Sequence, residues 1–415
     1  MGRVGADGSA AGSRPGSDGL IPRKRLGFVA ATVSLVGVFA GSASPIPLYE
    51  HYRAVAGLST GDLSIAAVSY FVAVMFALVV LGRQSDHLGR RLVSLAAVAL
   101  AVAGCLVLLE VDGLSVLVLG RILQGLSCGL ASSALTAYIV DLAPDRPRWL
   151  AAATSAGAPL IGLTIGAIGS GALAEYGPDP TRTPYVAATL LLVGCAVLLL
   201  VSPDAVLRRP GALASLRPQV LVPPTVRRLL PAAIAVFCGT WALGGFYQAL
   251  SPTISAQNLS TDSILVAGIV FASFMAPYAI GGPVTGRLAP LTAQRAGMVV
   301  FALAVVGIVA GLRAGTVVTV IVCGVVAGAA QGAAFTGSMR ALLGRIDPTQ
   351  RAGLMSTVYL FSYGGAAVPS LIAGRLSAEL ELAQIALGYA ALAILSAVVV
   401  LVLSRPTRTT ESGPG

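Results

Sequence analysis

The sequence predicts an all-α membrane protein in which twelve transmembrane helices form two six-helix bundles related by a parallel repeat. Three observations lead there. Twelve apolar stretches of about 20 residues, the length that crosses a hydrocarbon core, occupy most of the 415-residue chain. Basic residues crowd into alternate connections. Landmarks of the first half recur in the second at a spacing of 204 residues, the distance from Gly82 to Gly286.

The first observation rests on composition. Hydrophobic residues make up 56% of the chain and charged residues only 11%, with a mean hydropathy of +0.86. A soluble domain carries about a quarter of its residues as Asp, Glu, Lys and Arg. Lipid offers the backbone no hydrogen bonds, so runs this long cross it as helices. The alternating pattern of an outer-membrane barrel is absent. The spans are expected at 27–48, 62–82, 92–109, 115–140, 149–173, 184–203, 229–250, 264–286, 295–312, 316–341, 353–375 and 384–403.

Orientation follows from the basic residues, which favour cytoplasmic loops. With the N-terminus inside, 22 of the 27 lysines and arginines face the cytoplasm, four (Arg53, Arg182, Arg313 and Arg375) face outward, and Arg121 falls within a span. Both termini are therefore expected to be cytoplasmic, in a multi-pass protein of the cytoplasmic membrane. The net charge of +10 needs no nucleic-acid partner, because the arginines are scattered over the inner segments rather than gathered into a basic patch. The cysteines (Cys105, Cys128, Cys195, Cys238 and Cys323) lie singly in apolar stretches and make no disulfide framework or metal motif. Residues Met1–Ile21, rich in Gly, Ser and Ala, read as disordered. The basic stretch, apolar run and Ala40-Gly41-Ser42-Ala43 that follow imitate a signal peptide, but eleven further spans favour an uncleaved first helix.

The domain plan is a cytoplasmic tail at 1–25, a bundle at 26–203, a linker at 204–228, a bundle at 229–404 and a tail at 405–415. The linker holds Pro210, Pro218, Pro223 and Pro224 together with five arginines, which suits a segment lying on an anionic inner surface. Across it, Gly82-Arg83 matches Gly286-Arg287, Arg91 matches Arg295, Pro144 matches Pro348 and Ala174-Glu175 matches Ala378-Glu379. These identities fall at loops and helix ends. Six spans per half is an even number, so the halves point the same way, and a site is expected between them near the midplane.

The loop after the second span carries the most specific pattern, Gly82-Arg83-Gln84-Ser85-Asp86-His87-Leu88-Gly89-Arg90-Arg91. Its glycines permit tight turns. Asp86 can pair with Arg90 or with a helix end from the other half. Made in one conformation and broken in another, that bond is a latch. This loop resembles the Gly-x-Leu-Ala-Asp-Arg-x-Gly-Arg-Arg motif of the major facilitator superfamily of secondary transporters. Gly82, Asp86, Gly89, Arg90 and Arg91 are in register, Gln84 replaces the usual Leu, and His87 replaces a basic residue. The second-half copy has Pro290 in place of Asp86 and lacks the acid.

Arg121, inside the fourth span, is the second signal. A charge at mid-membrane costs about 2.5–3.5 kcal/mol, so such residues usually face a watery cavity. Snorkelling to the outer headgroups is the rival reading. The helical line Arg121, Gln124, Cys128, Ser132 favours a polar stripe, and Gly125 and Gly129 form a face for close packing. Arg121-x-x-Gln124-Gly125 also resembles the family's fourth-helix motif, which implies proton coupling. In the fifth span Pro159 and Gly162 match the Gly-Pro-x-x-Gly-Gly of the family's proton-driven exporters, while Ala158 and Leu163 do not. A proline there bends the helix in any case.

Substrate-cavity candidates are Trp241, Tyr247 and Gln248 in the seventh span, Gln331 and Phe335 in the tenth, and Tyr359 and Tyr363 in the eleventh, with interhelical packing as their plain alternative. Gly324, Gly328 and Gly332 suit close packing. No Asp or Glu lies near the middle of a span. No nucleophile–base pair, phosphate loop or metal site is evident, so neither enzymatic activity nor a cofactor is expected. The expected activity is alternating-access transport of a small organic solute, most simply export of drug-like or secondary metabolites against protons, with the bilayer as surroundings and a monomer as the working unit. An importer or facilitator for a nutrient or organic anion is the alternative, and a transport-inactive sensor is a further one.

Overall fold

The computed structural model describes residues 20–144, 146–147, 149–204, 210–258 and 261–404. Among them, helices form twelve spans and there is no strand. The first six are α1 (Leu20–Ala43), α2 (Thr60–Phe76, prolonged by a π-helical turn Ala77–Leu81), α3 (Arg90–Val107), α4 (Leu114–Leu142), α5 (Leu150–Tyr176) and α6 (Thr183–Val201). The second six are α7 (Leu230–Thr253, prolonged by Ile254–Asn258), α8 (Ile264–Met275, resuming as Tyr278–Val284), α9 (Pro290–Ala314), α10 (Val317–Leu343), α11 (Arg351–Leu376) and α12 (Leu382–Leu403).

Several boundaries differ from the sequence expectation, each for a local reason. α1 starts at Leu20, so the last residues of the expected disordered tail are helical. Pro22 falls in the first turn, where its missing N–H is no loss. Residues 1–19 and the expected tail at 405–415 lie outside the described residues. α1 stops at Ala43 rather than at 48, because Pro45 and Pro47 cannot continue the ladder. The chain then turns into a short helix, Tyr49–Ala56, whose Tyr49 and Tyr52 are buried. α8 is interrupted at Ala276–Pro277. Eleven of the spans are apolar and long enough to cross a membrane. The other, α11, has the length at 26 residues, but Ser356, Thr357, Ser362 and four glycines make it too polar to qualify on composition. Its place in the molecule explains this, since one side of it packs against α2 and α7, where Thr357 and Ser362 are buried, while Leu360, Val368 and Ile372 stay exposed on the other.

The two halves pack alike. In the first, α1 meets α4, α5 and α6, while α4 also meets α2 and α3, and α3 meets α6. The second repeats each contact, with α7 against α10, α11 and α12, α10 against α8 and α9, and α9 against α12. Glycines make the correspondence concrete. A Cβ on Gly125 would lie 2.5 Å from the Tyr70 carbonyl oxygen, and one on Gly328 would lie 2.1 Å from that of Phe274; the two carbonyls stand 204 residues apart and the two glycines 203. Such close approach is what small-residue faces provide where lipid gives no hydrophobic drive to association. Between the halves the main contacts are α2 with α11 and α5 with α8. Each pair is the repeat image of the other, as a two-fold axis along the membrane normal requires.

Candidate functional site

A cavity of about 210 Å³ lies where the two bundles meet. Six of the helices named above bring aromatic rings or amides to its wall: Phe39 from α1, Tyr70 and Phe71 from α2, Trp241 and Gln248 from α7, Phe274 and Tyr278 from α8, Gln331 from α10 and Tyr363 from α11. Tyr363 stands edge-on to Trp241 with centroids 4.8 Å apart, and 6.3 Å from Phe71 across the bundle interface. Among the described residues, no carboxylate, guanidinium, ammonium or imidazole lines this space. The Gln248 Nε2 and the Trp241 indole N–H are buried without a partner. The wall is therefore aromatic and apolar, and two of its N–H donors are unpaired.

Of the seven substrate-cavity candidates, Trp241, Gln248, Gln331 and Tyr363 are on this wall. Tyr359 lines a neighbouring opening of about 130 Å³ that shares Ser132 with the cavity and reaches Gly82 and Arg83. Tyr247 and Phe335 are placed elsewhere. Tyr247 is fully buried and stacked on Phe274 at 5.1 Å, and Phe335 packs behind Trp241 and Tyr278. Tyr70, Phe71, Phe274 and Tyr278 were missed by sequence reasoning. Their spacing was a usable signal, since Tyr70 and Phe274 stand 204 residues apart, as do Val74 and Tyr278. Pro159 is on the wall, whereas Gly162 serves close packing, because a Cβ there would lie 2.4 Å from the Val36 carbonyl oxygen.

Arg121 neither snorkels nor borders the cavity. It is 0% exposed and its guanidinium lies 4.2 Å from the centroid of the Tyr70 ring, which separates it from the open space. Its Nη1 donates to the Ser42 carbonyl and to Gln124 Oε1, both at 2.7 Å, while Gln124 Nε2 donates to the Gly41 carbonyl at 2.9 Å. These carbonyls belong to the last turn of α1. Gly41 lacks its usual donor because residue 45 is a proline. Arg121 and Gln124 thus cap α1, placing a cation at the negative end of its dipole. The Nε and Nη2 groups have no partner, and no carboxylate pairs with the charge among the described residues. Burial pushes the Tyr49 phenol above its ordinary range, and the Arg121 charge pulls against that shift.

The two ends of the bundle interface differ. At the end bearing Arg182, the halves are sealed. Glu175 accepts from Ser263 Oγ at 2.5 Å and from the Leu265 N–H at 2.9 Å, at the start of α8. Thr253 Oγ1 donates to Glu50 at 3.4 Å. A Cβ on Gly268 would lie 2.5 Å from the Ala167 carbonyl oxygen, and one on Gly374 would overlap Ser64. At the other end, Asp86 pairs with Arg90 at 2.5 Å and Arg90 with Asp141 at 2.9 Å. All three belong to the first half. Gly89 adopts φ +96°, a conformation natural to glycine, and so lets α3 start at once. Arg91 donates to the Leu200 and Ser202 carbonyls.

What bridges the halves at this end is the linker. Arg83 donates to the carbonyls of Ser215 and Arg217 (2.8 and 2.7 Å), and Gln84 to the Ala212 carbonyl and Ser215 Oγ (both 3.0 Å). Further on, the Leu221 N–H donates to the Gly353 carbonyl, and Thr357 Oγ1 to the Leu221 carbonyl. His87 meets the Pro210 carbonyl at 3.1 Å rather than lying free on the surface.

A family model described as Major Facilitator Superfamily matches residues 26–289 and 236–415, which together take in almost the entire chain. The chain belongs to the Major Facilitator Superfamily. This superfamily member is accordingly a secondary transporter and a multi-pass membrane protein. Its central cavity, sealed at one end of the bundle interface and leading toward the Asp86 loop at the other, occupies the place where a transporter built from parallel repeats binds its cargo.

Proposed function

We propose that the protein exports small, uncharged aromatic solutes from the cytoplasm in exchange for protons, working as a monomer in the cytoplasmic membrane with both termini inside. The composition of the central cavity is the observation that carries this reading. Bringing an ion into a dry space with no counter-charge costs far more than bringing in a neutral ring. Aromatic walls favour ring stacking. Among the described residues no carboxylate borders the space to neutralise a cationic drug, and the uncompensated Arg121 charge behind Tyr70 repels one. An organic-anion carrier would want a cation on the wall, and there is none among the described residues. The exporter direction draws on Pro159 and Gly162, and the proton on Arg121 and Gln124.

The test uses energised everted vesicles and follows lumenal pH as solutes are added. Uncharged aromatic ketones are expected to release protons, hexoses and aromatic carboxylates are not, and Trp241→Ala is expected to weaken the response about tenfold, the scale of one lost aromatic contact. Proton release driven best by a carboxylate or sugar would overturn the uncharged aromatic cargo, and solute-driven proton movement into the lumen would reverse the reading in favour of a proton-symporting importer.

The loop Gly82, Asp86, Gly89, Arg90 and Arg91 acts as the conformational latch of this cycle, with the linker as its counterpart. Gln84, where the family motif has Leu, supplies two of the bonds that hold the linker. In a background with cysteine at position 215, which already forfeits the Gln84 bond to Ser215 Oγ, Arg83→Ala combined with Gln84→Leu removes the other three hydrogen bonds, each worth about 0.5–3 kcal/mol. The cysteine in place of the buried Ser215 is then expected to label at least about tenfold faster. Unchanged labelling would mean that the linker is held by something other than the latch loop.

A further inference from the structure

The two bundles treat their arginines differently at the latch end. In the first, Arg90 is neutralised by Asp86 and Asp141, and Arg91 is satisfied by the carbonyls that end α6. At the repeat spacing of 204 residues, Pro290 stands for Asp86, Arg345 for Asp141 and Arg295 for Arg91. Both acids are gone and one has become a cation. Arg295, Arg340 and Arg345 line one cavity of about 350 Å³, with the first turn of α9 and Ser404 at the end of α12 completing the wall.

No ion pair or hydrogen bond engages the three guanidiniums among the described residues, and the Arg295 Nε is buried without a partner. Among the described residues no acid lines the cavity. The 25-residue α9 starts there with no side-chain cap on its free N–H groups, which adds positive potential of the kind that binds phosphates.

We propose that this cavity binds a phosphate group, supplied by an anionic phospholipid headgroup. Three convergent arginines match phosphate oxygens in charge and hydrogen-bond geometry. The chain neighbours of the cavity wall, Leu288 (41% exposed) and Leu403 (49% exposed), offer apolar surface for acyl chains beside it. Free phosphate would use the same arginines without that apolar surface. The site is independent of the transported solute, and it lies in the second bundle, away from the central cavity.

The experiment takes full-length protein, delipidated in detergent, and titrates it with dioleoylphosphatidylglycerol, dioleoylphosphatidylcholine or inorganic phosphate. Bound lipid is read by native mass spectrometry and stability by Tm. Wild type is expected to retain phosphatidylglycerol about tenfold or more over phosphatidylcholine, with a raised Tm. Arg340→Gln with Arg345→Gln, both at exposed positions, is expected to abolish that preference. Arg313→Gln, at the opposite end of α9, is expected to keep it. A Tm rise with inorganic phosphate matching that with phosphatidylglycerol, and lost in the double variant, would support the phosphate site and assign it to a soluble anion. Equal retention of the two lipids with no phosphate response would overturn the proposal, as would phosphatidylglycerol binding that survives in the double variant.

Discussion

Leucine at Gly268 is expected to abolish transport while leaving the protein folded. A Cβ at this position would already lie 2.5 Å from the Ala167 carbonyl oxygen and 3.0 Å from its carbon, where α8 crosses α5. The remaining side-chain atoms have nowhere to go unless the helices part. Overpacking of this kind costs about 1–3 kcal/mol in a soluble core. Here the clash falls on a contact between bundles, so a rocking transporter can relieve it by opening that end. A 3 kcal/mol bias shifts a two-state equilibrium by about a hundredfold, enough to hold the protein open at the Arg182 end. Transport should fall on that scale. In a cysteine-free background, Gln248→Cys should become reactive to an impermeant maleimide applied from the same end. Gly169→Leu is the matched control, because a Cβ there meets nothing within 4 Å. Normal transport by Gly268→Leu would show that the seal between α5 and α8 does not open during the cycle.

Much of this architecture was legible in the sequence. Apolar length located the helices, since the bilayer fixes how long each must be. The spacing of 204 residues located the repeat because the glycines and arginines at loops and helix ends are the residues geometry constrains most. Where reading failed, tertiary context had overridden local pattern. α11 looked like one more apolar stretch, yet it is the most polar of the spans because it packs between the bundles. Its Tyr363 could be tied to the cavity by position alone. Tyr247 could not be told from Trp241, because the two lie on different faces of α7 and hydropathy does not distinguish a bundle core from a bundle interface. The linker contacts of Arg83 and Gln84 were out of reach, because nothing in a Pro-rich segment reveals which carbonyls it will present. Arg121 was recognised as special, but its role in capping α1 required knowing that Pro45 deprives Gly41 of its donor.

That capping role sharpens what replacing Arg121 should do. Methionine at this position loses charge-assisted bonds to Ser42 and Gln124, each worth about 1.5–3 kcal/mol, and a cation–π contact with Tyr70, worth about 0.5–2 kcal/mol. It also removes a mid-membrane charge that costs about 2.5–3.5 kcal/mol. That relief offsets much of the loss but not all of it, so Arg121→Met is expected to fold with a Tm lowered by several degrees. Solute binding should change little, because the side chain lies behind Tyr70 rather than on the cavity wall. Solute-driven proton movement, by contrast, should fall about a hundredfold, a loss of about 2.7 kcal/mol in the coupled step. The reason is that Arg121 is the one fully buried charge among the described residues, and its Nε and Nη2 are free to engage a water or a solute oxygen if Tyr70 swings aside. Arg121→Lys keeps the charge but cannot reach Ser42 and Gln124 with the same planar fork, so it should restore part of the proton movement. If Met and Lys variants instead transport equally well, Arg121 acts only as the cap of α1. If both unfold, measured as a Tm drop of more than about 10 °C, the capping contribution exceeds the cost of burying the charge, and the residue is structural first.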